Sequence, residues 1–83
     1  MYVLFSVTDK GLYIGYSTNL KERLIRHSHG EVRSTKFRRP LQLIHYEYFI
    51  NEKDAKAREV FLKSGFGRTN LKKALQRTLI ELI

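Results

Sequence analysis

Cysteine and tryptophan are absent from these 83 residues, and proline and methionine occur once each. Without cysteine, no disulfide framework and no thiolate zinc site can staple so short a chain. With Pro40 as the single proline, most of the sequence is free to form regular structure. No stretch approaches the roughly 20 consecutive apolar residues that a membrane-crossing helix needs. Nor does a basic leader followed by an apolar run open the chain. The expectation is one soluble, cytoplasmic domain over residues 1–83, without a membrane partner and near the lower size limit for folding alone. Acidic side chains are scarce as well. Eight Asp+Glu stand against 16 Lys+Arg, giving a formal net charge of +8 and a pI near 10.1. Such an excess on a small domain suits a polyanion, usually nucleic acid; the bland alternative is a basic protein with no specific partner.

The positive charge is concentrated in two segments. Lys21, Arg23, Arg26, Arg33, Lys36, Arg38 and Arg39 share theirs with two acids, Glu22 and Glu31. Lys56, Arg58, Lys63, Arg68, Lys72, Lys73 and Arg77 share theirs with Glu59 alone. Two basic segments flanking a neutral, aromatic stretch can form opposite banks of one groove, and phosphate contacts need little more than that. Arg26, Arg33, Lys36, Arg38, Arg39, Lys63 and Arg68 are the candidate nucleic-acid contacts.

Along the chain, Tyr2–Val7 and Leu12–Tyr16 carry strand signals on either side of the turn-forming Thr8-Asp9-Lys10-Gly11, which predicts a β-hairpin. Ser17, Thr18 and Asn19 can each cap a helix running to about His27 or His29, where Gly30 stops it. Residues 31–40 read as a polar, basic loop. The aromatic stretch Leu41–Phe49 reads as a third strand. Asn51, with Asp54 three residues on, opens a second helix to about Ser64. Gly65-Phe66-Gly67 reads as a break before a third helix over Thr69–Leu82. The order is ββαβαα, an α/β (α+β) fold with a small sheet.

Several polar side chains sit where apolar ones are expected. Leu20 and Leu24 mark the inner stripe of the first helix by their i, i+4 spacing, and Arg23 and His27 fall on or beside it. Glu59 lies close to the apolar edge of the second helix that Ala55 and Leu62 define. Each has a structural reading: Arg23 as half of an ion pair, His27 as a hydrogen-bonded boundary residue, Glu59 as a partner for Arg58 or Lys63. Tyr2 and Tyr13, with ten residues between them, are packing aromatics on the same terms. The functional reading is that an inward carboxylate suits a hard cation such as Mg²⁺. The tyrosine hydroxyls and the arginine would then reach a bound phosphate and a water.

Together these residues resemble the GIY-YIG nuclease superfamily. Tyr13-Ile14-Gly15 matches the second family tripeptide, and of the first only the tyrosine is present, as Tyr2. Thr18-Asn19-Leu20-Lys21-Glu22-Arg23-Leu24 with His27 is similar to the family's NLxxRLxxH helix. Arg38-Arg39-Pro40-Leu41, Tyr46-Glu47, Ala55-Lys56-Ala57-Arg58-Glu59 and Lys63-Ser64-Gly65-Phe66-Gly67-Arg68 resemble stretches of small stand-alone members. The family includes the catalytic domain of the excinuclease C subunit and of homing endonucleases. The resemblance implies a three-stranded antiparallel sheet flanked by helices. It also implies hydrolysis of nucleic-acid phosphodiesters, by default in DNA during repair or recombination, with one Mg²⁺ or Mn²⁺ ion. On that footing Glu59 is the metal ligand, and Arg23 contacts the scissile phosphate. Tyr2 deprotonates the attacking water, Tyr13 orients water or phosphate, and His27 assists the proton transfer or holds a tyrosine. A protein partner that supplies target choice is a further expectation. The rival readings are a non-cleaving nucleic-acid-binding module on the same scaffold and a small basic protein of the translation or nucleoid apparatus.

Overall fold

A computed structural model describes residues 1–83. Strand β1 (Tyr2–Ser6) and strand β2 (Leu12–Gly15) form the expected hairpin, with Tyr2 opposite Gly15 and Phe5 opposite Leu12. Strand β3 (Leu41–Tyr46) adds to the other edge of β1, also antiparallel, so the sheet order is β2-β1-β3. Between Val3 and Leu4 the register shifts, because β3 carries one extra residue, Ile44, between the partners His45 and Leu43. That is a β-bulge, and it fixes the pairing of β1 with β3. The Glu47 N–H to Met1 carbonyl bond, at 2.9 Å, ends the ladder. The third strand therefore stops at Tyr46, short of the expected Phe49, where β1 runs out of backbone to pair with.

Helix α1 (Leu20–Ser28) starts at Asn19, whose side chain accepts the Glu22 N–H. It ends before Gly30, which has φ of +75° and for which the left-handed region is inexpensive. A short 3-10 turn, Lys36–Arg38, interrupts the loop that follows. Helix α2 (Glu52–Lys63) starts at Asn51, whose side chain accepts the Lys53 N–H. Helix α3 (Gly65–Ala74) and helix α4 (Gln76–Leu82) complete the chain. Two expectations are corrected here. Gly65-Phe66-Gly67 does not break the chain: Ser64 caps α3 by accepting the Gly67 N–H, and a Cβ on Gly67 would run into the Phe61 carbonyl. These residues form the first turn of a helix packed closely against α2. The expected third helix is also two helices, divided at Leu75.

Strand β1 is buried along its whole length, and its alternating side chains serve two different faces. Val3 and Phe5 join Met1, Leu12, Ile14, Leu62 and Leu71 in one apolar cluster, sealed by Leu75, Leu79 and Leu82. Tyr2 and Leu4 face the opposite way, towards α1. The inner stripe of α1 is weaker than the sequence suggests. Leu20 and Leu24 are only half-buried, and the fully buried side chain of that helix is His27. No helix is long and apolar enough to cross a membrane.

Candidate active site

Tyr2 projects from the central strand across the edge strand β2, and Gly15 makes room for it. A Cβ at Gly15 would lie 2.6 Å from both Cζ and the hydroxyl oxygen of Tyr2, and 3.0 Å from Cε1 of Tyr13. The last glycine of Tyr13-Ile14-Gly15 is thus a matter of space rather than of backbone angle. Tyr13, two residues earlier on β2, shares that face. Its ring centroid is 6.2 Å from that of Tyr2 and 5.1 Å from the imidazole of His27, while Tyr2 and His27 are 5.7 Å apart and nearly perpendicular. The three rings form a closed triangle with edge-to-face contacts on the histidine.

Polar atoms converge on the Tyr2 hydroxyl. His27 Nε2 lies 2.8 Å from it, and the Arg23 Nε–H donates to it at 3.3 Å. His27 Nδ1 is 2.7 Å from the hydroxyl of Thr35, which is fully buried. Burial dominates the electrostatics. It pushes the Tyr2 phenol up to about 12, against the opposing pull of Arg23. It pushes His27 down to about 4, reinforced by the positive charges of Arg23 and Arg26. Both groups rest neutral near pH 7. The bond to Tyr2 in turn holds the Arg23 guanidinium more firmly protonated.

Tyr2, Tyr13, Arg23 and His27 are therefore brought together by two strands and one helix. Glu59 makes no hydrogen bond or ion pair with them and pairs with Lys63 at 3.0 Å across one turn of α2. Its position on that helix is nonetheless adjacent. Ala55, one turn before it, lines a cavity with Tyr2 and Tyr16, and Lys63, one turn after it, lines another with Tyr13. No three His, Cys, Asp or Glu side chains cluster as a ready-made metal cage. A lone hard carboxylate fits Mg²⁺ or Mn²⁺ only as a shared site, with water and substrate phosphate oxygens filling the remaining positions.

The basic residues differ in how free they are. Arg26, Arg33 and Lys36 are exposed and have no carboxylate partner. Arg38 is tied down: it donates to Asp9 through Nε at 2.6 Å and Nη2 at 3.2 Å, and to the Leu12 carbonyl. Arg39 donates to the carbonyls of Lys36 and Ser28. Lys63 and Arg68 line a cavity of about 600 Å³ with Arg38 and Tyr13, so members of both basic segments meet beside the tyrosine. The Nε of Arg68 is buried without a hydrogen-bond partner. Thr35 is the site residue that sequence reasoning missed. A buried threonine inside a polar loop has no local signature, and its partner lies eight residues away across the turn at Gly30.

A sequence model of the GIY-YIG catalytic domain matches residues 1–73. The chain belongs to the GIY-YIG family. A UPF0213 protein of Pediococcus acidilactici is 43% identical over 74 residues, covering 86% of this chain and 74% of the relative. A UPF0213 protein of Streptococcus pyogenes serotype M3 is 44% identical over 64 residues, covering 76% and 68%. No solved structure matches the chain with significance. Membership places the domain in a nuclease-type enzyme family. Tyr2 and Tyr13, the pair that the sequence resemblance singles out, have rings that meet over Gly15.

Proposed function

We propose that this GIY-YIG domain is a divalent-metal-dependent endonuclease that hydrolyses phosphodiester bonds in DNA. The observation that carries the reading is the convergence of Arg23 and His27 on the Tyr2 hydroxyl, at 3.3 and 2.8 Å. Tyr2 takes the proton of the attacking water, and Tyr13 orients water or phosphate. Arg23, fixed on α1, directs donors at the phosphate oxygens where negative charge builds up. Glu59 is the residue that would hold Mg²⁺ or Mn²⁺, and Lys63 must release it first. The ion, when bound, supplies charge neutralisation at the phosphate and the leaving oxygen. Arg26, Arg33, Lys36 and Arg39 hold flanking phosphates, and Lys63, Arg38 and Arg68 line the approach around Tyr13.

A second reading has its own support. Glu59 is engaged by an internal ammonium, and the Tyr2 phenol is pushed up by burial, so the domain at rest is far from cutting. That suits a module which holds DNA without cleaving it, or one that a protein partner activates. Incubation with supercoiled and branched DNA separates the two, run with Mg²⁺ or Mn²⁺, with chelator, and with Glu59→Ala in parallel. Metal-dependent nicking by the unaltered protein alone supports the nuclease. Equal binding and no nicking by either protein sinks it in favour of the binding module.

A further inference from the structure

Two side chains hydrogen-bond the Tyr2 hydroxyl, and they are not equivalent. Arg23 offers only donors, so of the two only the Nε2 of His27, at 2.8 Å, can accept the hydrogen of a neutral Tyr2; the Tyr13 hydroxyl also acts on Tyr2 but makes no bond to it as short. A neutral imidazole has one N–H and one bare nitrogen. If Nε2 is bare, the proton sits on Nδ1 and donates to the Thr35 oxygen 2.7 Å away. Thr35 can serve as that acceptor because its own hydrogen has somewhere else to go, the Val32 carbonyl at 3.4 Å. The chain of donors thus runs in one direction, from Tyr2 to His27 to Thr35 to the backbone. His27 and Thr35 are buried to within about 1%, so no water competes for the two imidazole nitrogens. Tyr2, Tyr13, Arg23 and Arg26 are the ionisable groups facing His27, and it forms no ion pair with a carboxylate.

The geometry points to Thr35 as a positioning residue for the proposed cleavage: by accepting from Nδ1–H, it holds His27 in the tautomer whose bare Nε2 receives the Tyr2 hydrogen. This rests on the reading of Tyr2 as the base. With its hydrogen directed at Nε2, Tyr2 turns a lone pair towards Arg23 and the substrate side, where a water can donate to it. As the water oxygen bonds to phosphorus, its proton passes to the Tyr2 oxygen and the Tyr2 proton passes to Nε2. The electron pair of the breaking P–O bond leaves with the departing oxygen. The resulting imidazolium keeps a partner for each N–H, Thr35 on one side and Tyr2 on the other. A hydroxyl rather than a carboxylate behind His27 keeps the ring neutral at rest and leaves Nε2 available.

Long-range nitrogen–proton NMR of isotope-labelled histidine reads the tautomer without any substrate. His27 is assigned by comparison with His27→Gln. The expected spectrum for the unaltered protein shows Nδ1 protonated and Nε2 bare; Thr35→Ser keeps it, and Thr35→Val, which retains the shape but not the acceptor, loses it. In cleavage assays Thr35→Val lowers kcat on the order of 10²-fold with KM and DNA binding unchanged, and Thr35→Ser restores most of the rate. An Nε2-protonated ring in the unaltered protein overturns the proposal, as does a Thr35→Val protein with the same tautomer. Should Thr35→Val not fold, the unaltered and Thr35→Ser spectra decide. Absence of cleavage by the unaltered protein counts against the nuclease reading, while the spectra still decide the tautomer.

Discussion

The two faces of strand β1 are both buried, yet they are built from opposite materials. On the face towards α2 and α3, Val3 and Phe5 meet Leu62 and Leu71, and no polar atom intervenes. On the face towards α1, Tyr2 meets an imidazole, a guanidinium and, one residue further, a threonine hydroxyl. The first face contributes stability through apolar area removed from water. The second makes hydrogen bonds whose net contribution is small when complete and whose loss is costly. A single five-residue strand therefore carries both the apolar core and the polar cluster, separated only by the alternation of side chains.

The separation can be tested by substitutions that strike one side at a time. Glu59→Ala carries the largest expected effect. Cleavage falls by at least about 10³-fold, on the order of 4 kcal/mol in the barrier. Folding stability changes by less than about 0.5 kcal/mol, because an i,i+4 surface pair contributes little; cleavage assays and urea unfolding measured on the same preparation check both. Leu62→Ala does the reverse. Its side chain is fully buried, so unfolding free energy drops by about 2–5 kcal/mol, while cleavage per folded molecule is retained.

Acid probes the polar face through His27. The folded pKa of His27 is depressed from 6.5 to about 4, so the unfolded chain takes up a proton over a range where the folded chain does not. Its stabilising contribution is present above about pH 6.5 and is lost as pH falls towards 4, amounting to about 3 kcal/mol. His27→Gln removes that slope between pH 6.5 and 4, read by unfolding titrations at each pH. Asp9, Glu47 and Glu52, whose carboxyls are also held below their ordinary values, add their own loss below about pH 5, so the His27 part is the difference between the unaltered and His27→Gln titrations. The smallest effect belongs to Gly15→Ala, which pushes a methyl group into the Tyr2 ring. Overpacking of this kind costs about 1–3 kcal/mol. Because Tyr2 must move, cleavage should fall too, making this the substitution that couples the two faces. Full activity at reduced stability would show that the position of the Tyr2 ring does not matter for cutting.

Much of this arrangement was legible in the sequence because its signals are local. The hairpin follows from strand formers around Thr8-Asp9-Lys10-Gly11, and the helix starts follow from Asn19 and Asn51, both of which cap as expected. The resemblance implies that Tyr2, Tyr13, Arg23, His27 and Glu59 converge; the first four lie in contact or hydrogen-bond reach, while Glu59 pairs with Lys63. What could not be read depends on distant partners. Glycine at 65 and 67 reads locally as a break, but Gly67 serves a close approach between α2 and α3, which only the folded chain defines. Thr35 is polar in a polar loop until α1 presents a ring nitrogen to it. Nothing in Lys72–Gln76 marks the division at Leu75, which has neither glycine nor proline nearby.

The extra residue at Ile44 acts on the whole molecule like a phase marker in a coded message. A strand with period two can be threaded in either of two phases, and a one-residue slip turns its inward set outward. With the insertion opposite Val3 and Leu4, Leu41 and Leu43 pair with Ser6 and Leu4, while Ile44 packs on the apolar cluster of the other face. The extra residue thereby lets one short strand change phase and serve both layers of the fold.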